Sequence, residues 1–271
     1  MRSITAINRS ELRILLIQIR EEASTRQEEL ESFARFSGLS VEQFRILNLF
    51  DVIGDSSKEG AQDGTEDSSA ELDLAVLEGI DAVYVGGSSE ASVMQPQQYP
   101  FVPSTEALLR HCIEIKLPVF CSCFGHQLAA QALGVEIVRD EADFEMGTLP
   151  ISLTDAAAKD PLYRDTPDNF MAVSVHRERA VAVPAGCTAL AYTSACNHSF
   201  KVDGAPFWTT QFHPEVSMSI LIKRLTIFKD KYTDGDDHLQ KVLDSAVETP
   251  ESNGLLKKFV DRVLIGGEGR D

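Results

Sequence analysis

The chain has 271 residues, 43% of them hydrophobic, and a net charge of −17. A chain of this length buries a large core without disulfides or metals, and one domain with insertions, spanning 1–271, is expected rather than two. The acidic excess excludes nucleic acid and anionic membrane as main partners, because both are held by Lys/Arg patches, and reads as solubility.

The predicted elements alternate over the first half of the chain. "LRILLIQI" (12–19) is a short Leu/Ile run and reads as a buried strand. "RQEELESFARFSG" (26–38) follows with Leu30, Phe33 and Ala34 at helical spacing and Gly38 as a stop. "FRILNLFD" (44–51) reads as a second strand. Residues 54–73, rich in Gly, Ser and acid, read as an insertion loop. A strand at 82–85 runs into the Gly86-Gly87 turn. A helix over 103–116 takes Ser104 as its N-cap and puts Leu108, Cys112 and Ile115 on one face, with Cys112 in the core. "PVFC" (118–121) is again a strand, and "FGHQLAAQALG" a helix closed by Gly134. This order argues for an α/β fold: a central, mostly parallel sheet with helices on both faces.

From residue 135 short strand-like pieces follow one another: "VEIV", "TLPISL", "FMAVSVH" and "TALAYTS". Asp203-Gly204 in "SFKVDGAPFWTTQF" signals a hairpin. Residues 217–271 read as a helical extension, with Leu255, Leu256, Phe259 and Val263 on one side.

The cysteines are Cys112, Cys121, Cys123, Cys187 and Cys196, an odd number in apolar surroundings. No leader pattern opens the chain, and no run approaches the ~18 apolar residues of a membrane span. A cytoplasmic protein with reduced thiols is expected.

Strand, sharp turn and helix is the setting that presents a nucleophile at a sheet end, with a helix N-terminus behind it that favours a thiolate. Cys123 occupies that turn, Cys121 belongs to the strand, and Gly125 permits close backbone approach. On these residues alone, a nucleophile, two core thiols and a metal pair all remain open. A metal quartet would draw Cys196 and His198 to Cys121 and Cys123.

A cysteine nucleophile needs a base, and the base an orienting partner. In "TTQFHPEV", Pro214 biases His213 towards extended chain, which puts His213 and Glu215 on one face. The competing reading of H-P-E is a strand end entering a helix with Pro at N1. Gly86 and Gly87 follow a strand, so their amides, with that of Phe124, suit an oxyanion. A phosphate cradle competes, but neither G-x-G-x-x-G nor a Walker motif is present.

The ordered set "VYVGGS", "PVFCSCFGHQLAAQALG" and "TTQFHPE" resembles the class I glutamine amidotransferases, and "MGTLPISLTD" and "MAVSVHRERAVAVPAG" are similar to their GMP-synthetase-like branch. The resemblance covers residues 12–216. It implies a flavodoxin-like α/β fold, with Cys123 as nucleophile, His213 as base and acid, and Glu215 as orienting carboxylate. It also implies an oxyanion hole from the amides of Gly87 and Phe124, and substrate contacts at Gly86 and Gln127. No metal or organic cofactor is required by that chemistry. The partners implied are glutamine or a γ-glutamyl compound and, since no synthetase domain is present in the chain, a separate acceptor protein. A stand-alone γ-glutamyl hydrolase and a catalytically silent regulatory homologue are the alternatives. Two departures stand out. Cys121 takes a position where the family has Gly, and His176-Arg177-Glu178 replaces H-G-D, leaving His176 between a substrate and a structural role.

Overall fold

The computed structural model describes residues 8–56, 72–140, 144–227 and 236–269. In chain order its strands are β1 (Ile14–Gln18), β2 (Phe44–Asn48), β3 (Ala82–Val85), β4 (Val119–Ser122), β5 (Ile137–Arg139) and β6 (Glu145–Leu153). They continue with β7 (Phe170–His176), β8 (Glu178–Ala180), β9 (Cys187–Tyr192), β10 (Asn197–Val202) and β11 (Phe207–Thr210). The main sheet runs β2-β1-β3-β4-β11-β10-β9-β6-β7. Its first five strands are parallel, and the remaining four join by antiparallel pairings. The five parallel strands follow the flavodoxin-like order, in which ligands bind beyond the carboxyl ends near the β1/β3 switch point.

The helices are α1 (Ala23–Ser37), α2 (Leu49–Ser56), α3 (Phe101–Glu114), α4 (Phe124–Ala132), α5 (Met218–Ile227), α6 (Asp236–Ser245) and α7 (Pro250–Lys258). The last continues as π-helical turns over Phe259–Ile265. Strand alternation decides which face each side chain joins. Leu15, Ile17, Val83, Val85, Val119 and Cys121 point to one face, where α3 and α4 add Leu108, Leu109, Cys112 and Leu128. Ile14, Leu16, Ala82, Tyr84 and Phe120 point to the other, where α1 adds Phe33 and α7 with its extension adds Leu255, Leu256, Phe259 and Val263. A third cluster joins Met146 and Val173 to Leu221, Leu225 and Val242. The α/β architecture with a sheet flanked by helices on both faces is thus as expected.

Several local expectations are corrected. The second strand stops at Asn48, and its apolar continuation Leu49-Phe50 opens α2. Helix α3 begins at Phe101, four residues before a Ser104 cap would start it, and the Ser104 hydroxyl instead bonds back to the Phe101 carbonyl at 3.0 Å. Ile115 is not on the buried face of α3 with Leu108 and Cys112; it is 51% exposed. Of the acidic insertion expected at 54–73, residues 57–71 lie outside the described residues, and 54–56 form the last turn of α2. The Asp203-Gly204 hairpin does join β10 to β11.

Candidate active site

A single residue, Cys123, separates β4 from α4. Its φ of 49° and ψ of −101° lie where non-glycine residues are strained. Two backbone bonds hold the turn: the Cys123 N–H donates to the Thr210 carbonyl at 2.7 Å, and the Gly125 N–H to the Gly86 carbonyl at 3.2 Å. Gly125 is required by that approach, because a Cβ there would sit 2.8 Å from the Val85 oxygen. Cys121 is fully buried in the α3/α4 face, as its strand position dictates. Burial pushes its thiol well above the ordinary range and pushes Cys112 up to about 12. Neither is suited to supply a thiolate.

Beyond β11 the chain turns rather than staying extended. The Val216 N–H closes on the His213 carbonyl at 3.2 Å, and the His213 N–H donates to Val173 of β7 at 2.8 Å. The turn brings His213 Nδ1 to 2.7 Å from Glu215 Oε1. It also removes the competing reading of H-P-E, since α5 starts only at Met218. Glu215 is fully buried; its second oxygen accepts the Ser122 hydroxyl at 2.8 Å, and the Ser32 hydroxyl donates to its carbonyl. Burial alone would pull the His213 ring down. The facing Cys123 sulfur and the Glu215 carboxylate outweigh it and raise the ring to about 10. Burial alone would raise Glu215, and the His213 ring, assisted by Ser122, holds it below the usual carboxylate range instead. With Nδ1 engaged by Glu215, the other ring nitrogen is left to the sulfur.

The two glycines after β3 divide their work. Gly86 donates its N–H to the Ile17 carbonyl at 3.0 Å and gives its carbonyl to Gly125, so both its polar groups serve the turn. A Cβ on Gly86 would meet Glu29 Oε1 at 2.7 Å. That carboxylate is gripped by Arg20 at 3.0 and 3.1 Å. Gly87 lies against the reacting groups: a Cβ there would be 2.8 Å from His213 Cε1 and 3.4 Å from Cys123 Cβ. Among the described residues the amides of Gly87 and Phe124 have no backbone acceptor. Phe124 is the first residue of α4, where a helix leaves its N–H groups free.

A cleft of about 190 Å³ opens over Cys123, lined in part by Ser88, Phe124, Gln127, His176, Arg177 and Glu178. Gln127 fixes the cleft wall by donating to the Glu178 carbonyl at 2.8 Å. His176 lines the cleft but commits its Nε2 to Glu145 Oε2 at 2.9 Å. Cys196 and His198 do meet in space, but with Glu145 and His176, and neither Cys121 nor Cys123 is in that group. Three residues at the site escape sequence reading. Ser122 and Ser32 brace Glu215, and Gln211 approaches the Cys123 sulfur at 3.8 Å through its Nε2.

Residues 68–229, more than half of the chain, match the family described as glutamine amidotransferase class-I. The chain belongs to the class I glutamine amidotransferases. Its curated relatives include glutamine-hydrolysing GMP synthase subunits from Methanococcus aeolicus and Methanocaldococcus jannaschii. The former is 34% identical over 112 residues and the latter 33% over 113, in each case 40% of this chain. The matched stretch spans 57% and 58% of the length of these relatives. Among solved structures, a glutamine amidotransferase of Thermotoga maritima superposes with a TM-score of 0.67 at 20% identity, covering 94% of this chain and 98% of that one. One from Methylobacillus flagellatus gives 0.65 at 18% identity, covering 96% of each. At such identities the likeness speaks for the fold of this amidotransferase. No helix among its described residues is long and apolar enough to cross a membrane.

Proposed function

We propose that this class I amidotransferase is an amidohydrolase that splits the γ-amide of glutamine and passes the ammonia to a separate acceptor protein. One observation carries the reading: a strained turn cysteine, a buried His–Glu pair and two amides without a backbone acceptor converge at the carboxyl end of the sheet. The Cys123 thiolate attacks the γ-carbonyl carbon, forming the C–S bond and a tetrahedral oxyanion. The amides of Gly87 and Phe124 hold that oxyanion, each worth about 3 kcal/mol of barrier. His213 gives its proton to the departing ammonia as the C–N bond breaks, leaving a γ-glutamyl thioester. It then takes a proton from water, which attacks the thioester and frees glutamate. Glu215 keeps the ring oriented through both steps. Gln127 and Gly86 shape the cleft, the first by holding the Glu178 segment and the second by setting the turn beside Gly87.

The acceptor is inferred from the relatives, which are named both as glutamine-hydrolysing and as one component of a synthase. A second reading is a γ-glutamyl peptide hydrolase. It is favoured by the presence of Arg139 and Arg177 among the residues that line the cleft, since positive charge there suits a carboxylate beyond the γ-glutamyl group. Glutamate release from glutamine and from γ-glutamyl dipeptides separates the two. Cys123→Ala is expected to lose about 10³-fold or more on either substrate, with Cys121→Ala close to wild type. Equal loss in both variants, or full activity of Cys123→Ala, sinks the assignment.

A further inference from the structure

Apart from Cys123, the described residues hold one cluster of metal-binding side chains: Glu145, His176, Cys196 and His198. Three separate pieces of chain build it. Glu145 opens β6 and pairs directly across from His176, the last residue of β7. Cys196 precedes β10, and His198 sits where that strand loses register against β9, an irregularity of the kind that re-aims a side chain. Both imidazoles point Nε2 at the same carboxylate oxygen, Glu145 Oε2, at 2.9 and 2.7 Å, and the Cys196 sulfur is 3.8 Å from it. The four ligand atoms all lie within 4.8 Å of one another. Both histidines are buried, and neither Nδ1 has a hydrogen-bond partner among the described residues. Convergence on one point is therefore the polar engagement each ring has.

We propose that these four residues form a closed site for a zinc-type divalent ion. Zn–N, Zn–O and Zn–S bonds of about 2.0 to 2.3 Å give tetrahedron edges of about 3.3 to 3.7 Å, so small side-chain shifts that spread the closest pairs admit the ion. One thiolate and one carboxylate balance its two charges, the two imidazoles bind neutral, and the Cys196 thiol releases one proton on binding. A donor set of two nitrogens, one sulfur and one oxygen selects zinc over magnesium or calcium. With four protein ligands the ion has no open position, so its work is structural. It fastens the β10 start to the ends of β6 and β7, and β7 leads straight into Arg177 and Glu178 on the cleft wall.

The test uses the full chain, stripped with chelator and then given Zn²⁺ alone or Co²⁺ alone. Wild type and Cys123→Ala are expected to retain about one zinc per chain after gel filtration, with a raised Tm. Cys196→Ser and His198→Gln are expected to lose both. Cys123→Ala is the control that matters, because Cys123 and His213 are themselves a thiol and an imidazole. Zinc that disappears with Cys123, or no retained zinc in wild type, overturns the site. If the ligand variants fail to fold, the cobalt spectrum of a Cys123→Ala/Cys187→Ser double variant decides. A thiolate-to-cobalt charge-transfer band with tetrahedral intensity supports the site, and its absence overturns it.

Discussion

At the scale of single residues, the pairing of His213 with Glu215 has a measurable signature. The ring is raised to about 10 against its burial, and the facing Cys123 sulfur makes the largest raising contribution. In ¹⁵N NMR the wild-type ring is expected to stay protonated through neutral pH. In Cys123→Ala the Glu215 carboxylate still supports the charged ring, but the largest raising contribution is gone, so the ring should titrate at lower pH than in wild type; an unchanged titration would show that the sulfur does not face the ring. Ser122 offers a second measurement. Its hydroxyl bonds a fully buried carboxylate oxygen, and removing such a donor leaves a charged acceptor unpaired. Ser122→Ala is expected to lower kcat about tenfold, the equivalent of ~1.4 kcal/mol, with KM little changed. Cys123 is legible in the chain because strand, turn residue and helix are contiguous there. Ser122 is not, because its bond to Glu215 spans 93 residues and exists only once β4 and β11 lie side by side. The Glu145 cluster is only half legible for the same reason: Cys196 and His198 stand close in the chain as a candidate metal pair, but Glu145 is 53 residues from His198 and replaces the cysteines expected beside it.

At the scale of elements, the β1-to-β4 alternation is readable because each strand is a short apolar run bounded by turn residues. Boundaries are less so. Leu49-Phe50 continues an apolar run, and only the packing of Leu49 into the α3/α4 face, with Phe50 against Tyr99 and Phe101, explains why it belongs to a helix. His213 and Glu215 likewise pair through a turn and not through extended chain, an outcome that Pro214 alone does not reveal. The C-terminal helix is readable as amphipathic from Leu255, Leu256, Phe259 and Val263, but its partner surface is not. Phe259 packs edge-on against Phe120, Tyr84 and Trp208, with ring centroids at 5.5, 5.8 and 5.9 Å. That helix is therefore part of the core beneath the Cys123 strand. Phe259→Ala is expected to destabilise the fold by about 3 to 5 kcal/mol, read from urea unfolding. A loss under about 1 kcal/mol, the size of an ordinary surface change, would mean that the helix merely rests on the sheet.

At the scale of the whole molecule, 42 acidic side chains face 25 basic ones, and self-repulsion on this scale weakens the compact state. Raising ionic strength from a few millimolar to about 0.15 M shortens the screening length to ~8 Å and is expected to raise Tm by a few degrees. A flat or falling Tm would place the stability elsewhere. The covering of Leu16, Tyr84 and Phe120 by the last helix also bears on synthesis. Phe259 follows Phe120 by 139 residues. At ~5–20 residues per second, a ribosome delivers the cover roughly 7 to 30 s after the surface it protects. Throughout that interval α1 is the earlier-made helix on that face and the cover from Leu255 to Leu264 is missing, which leaves apolar surface of the kind a holding chaperone binds.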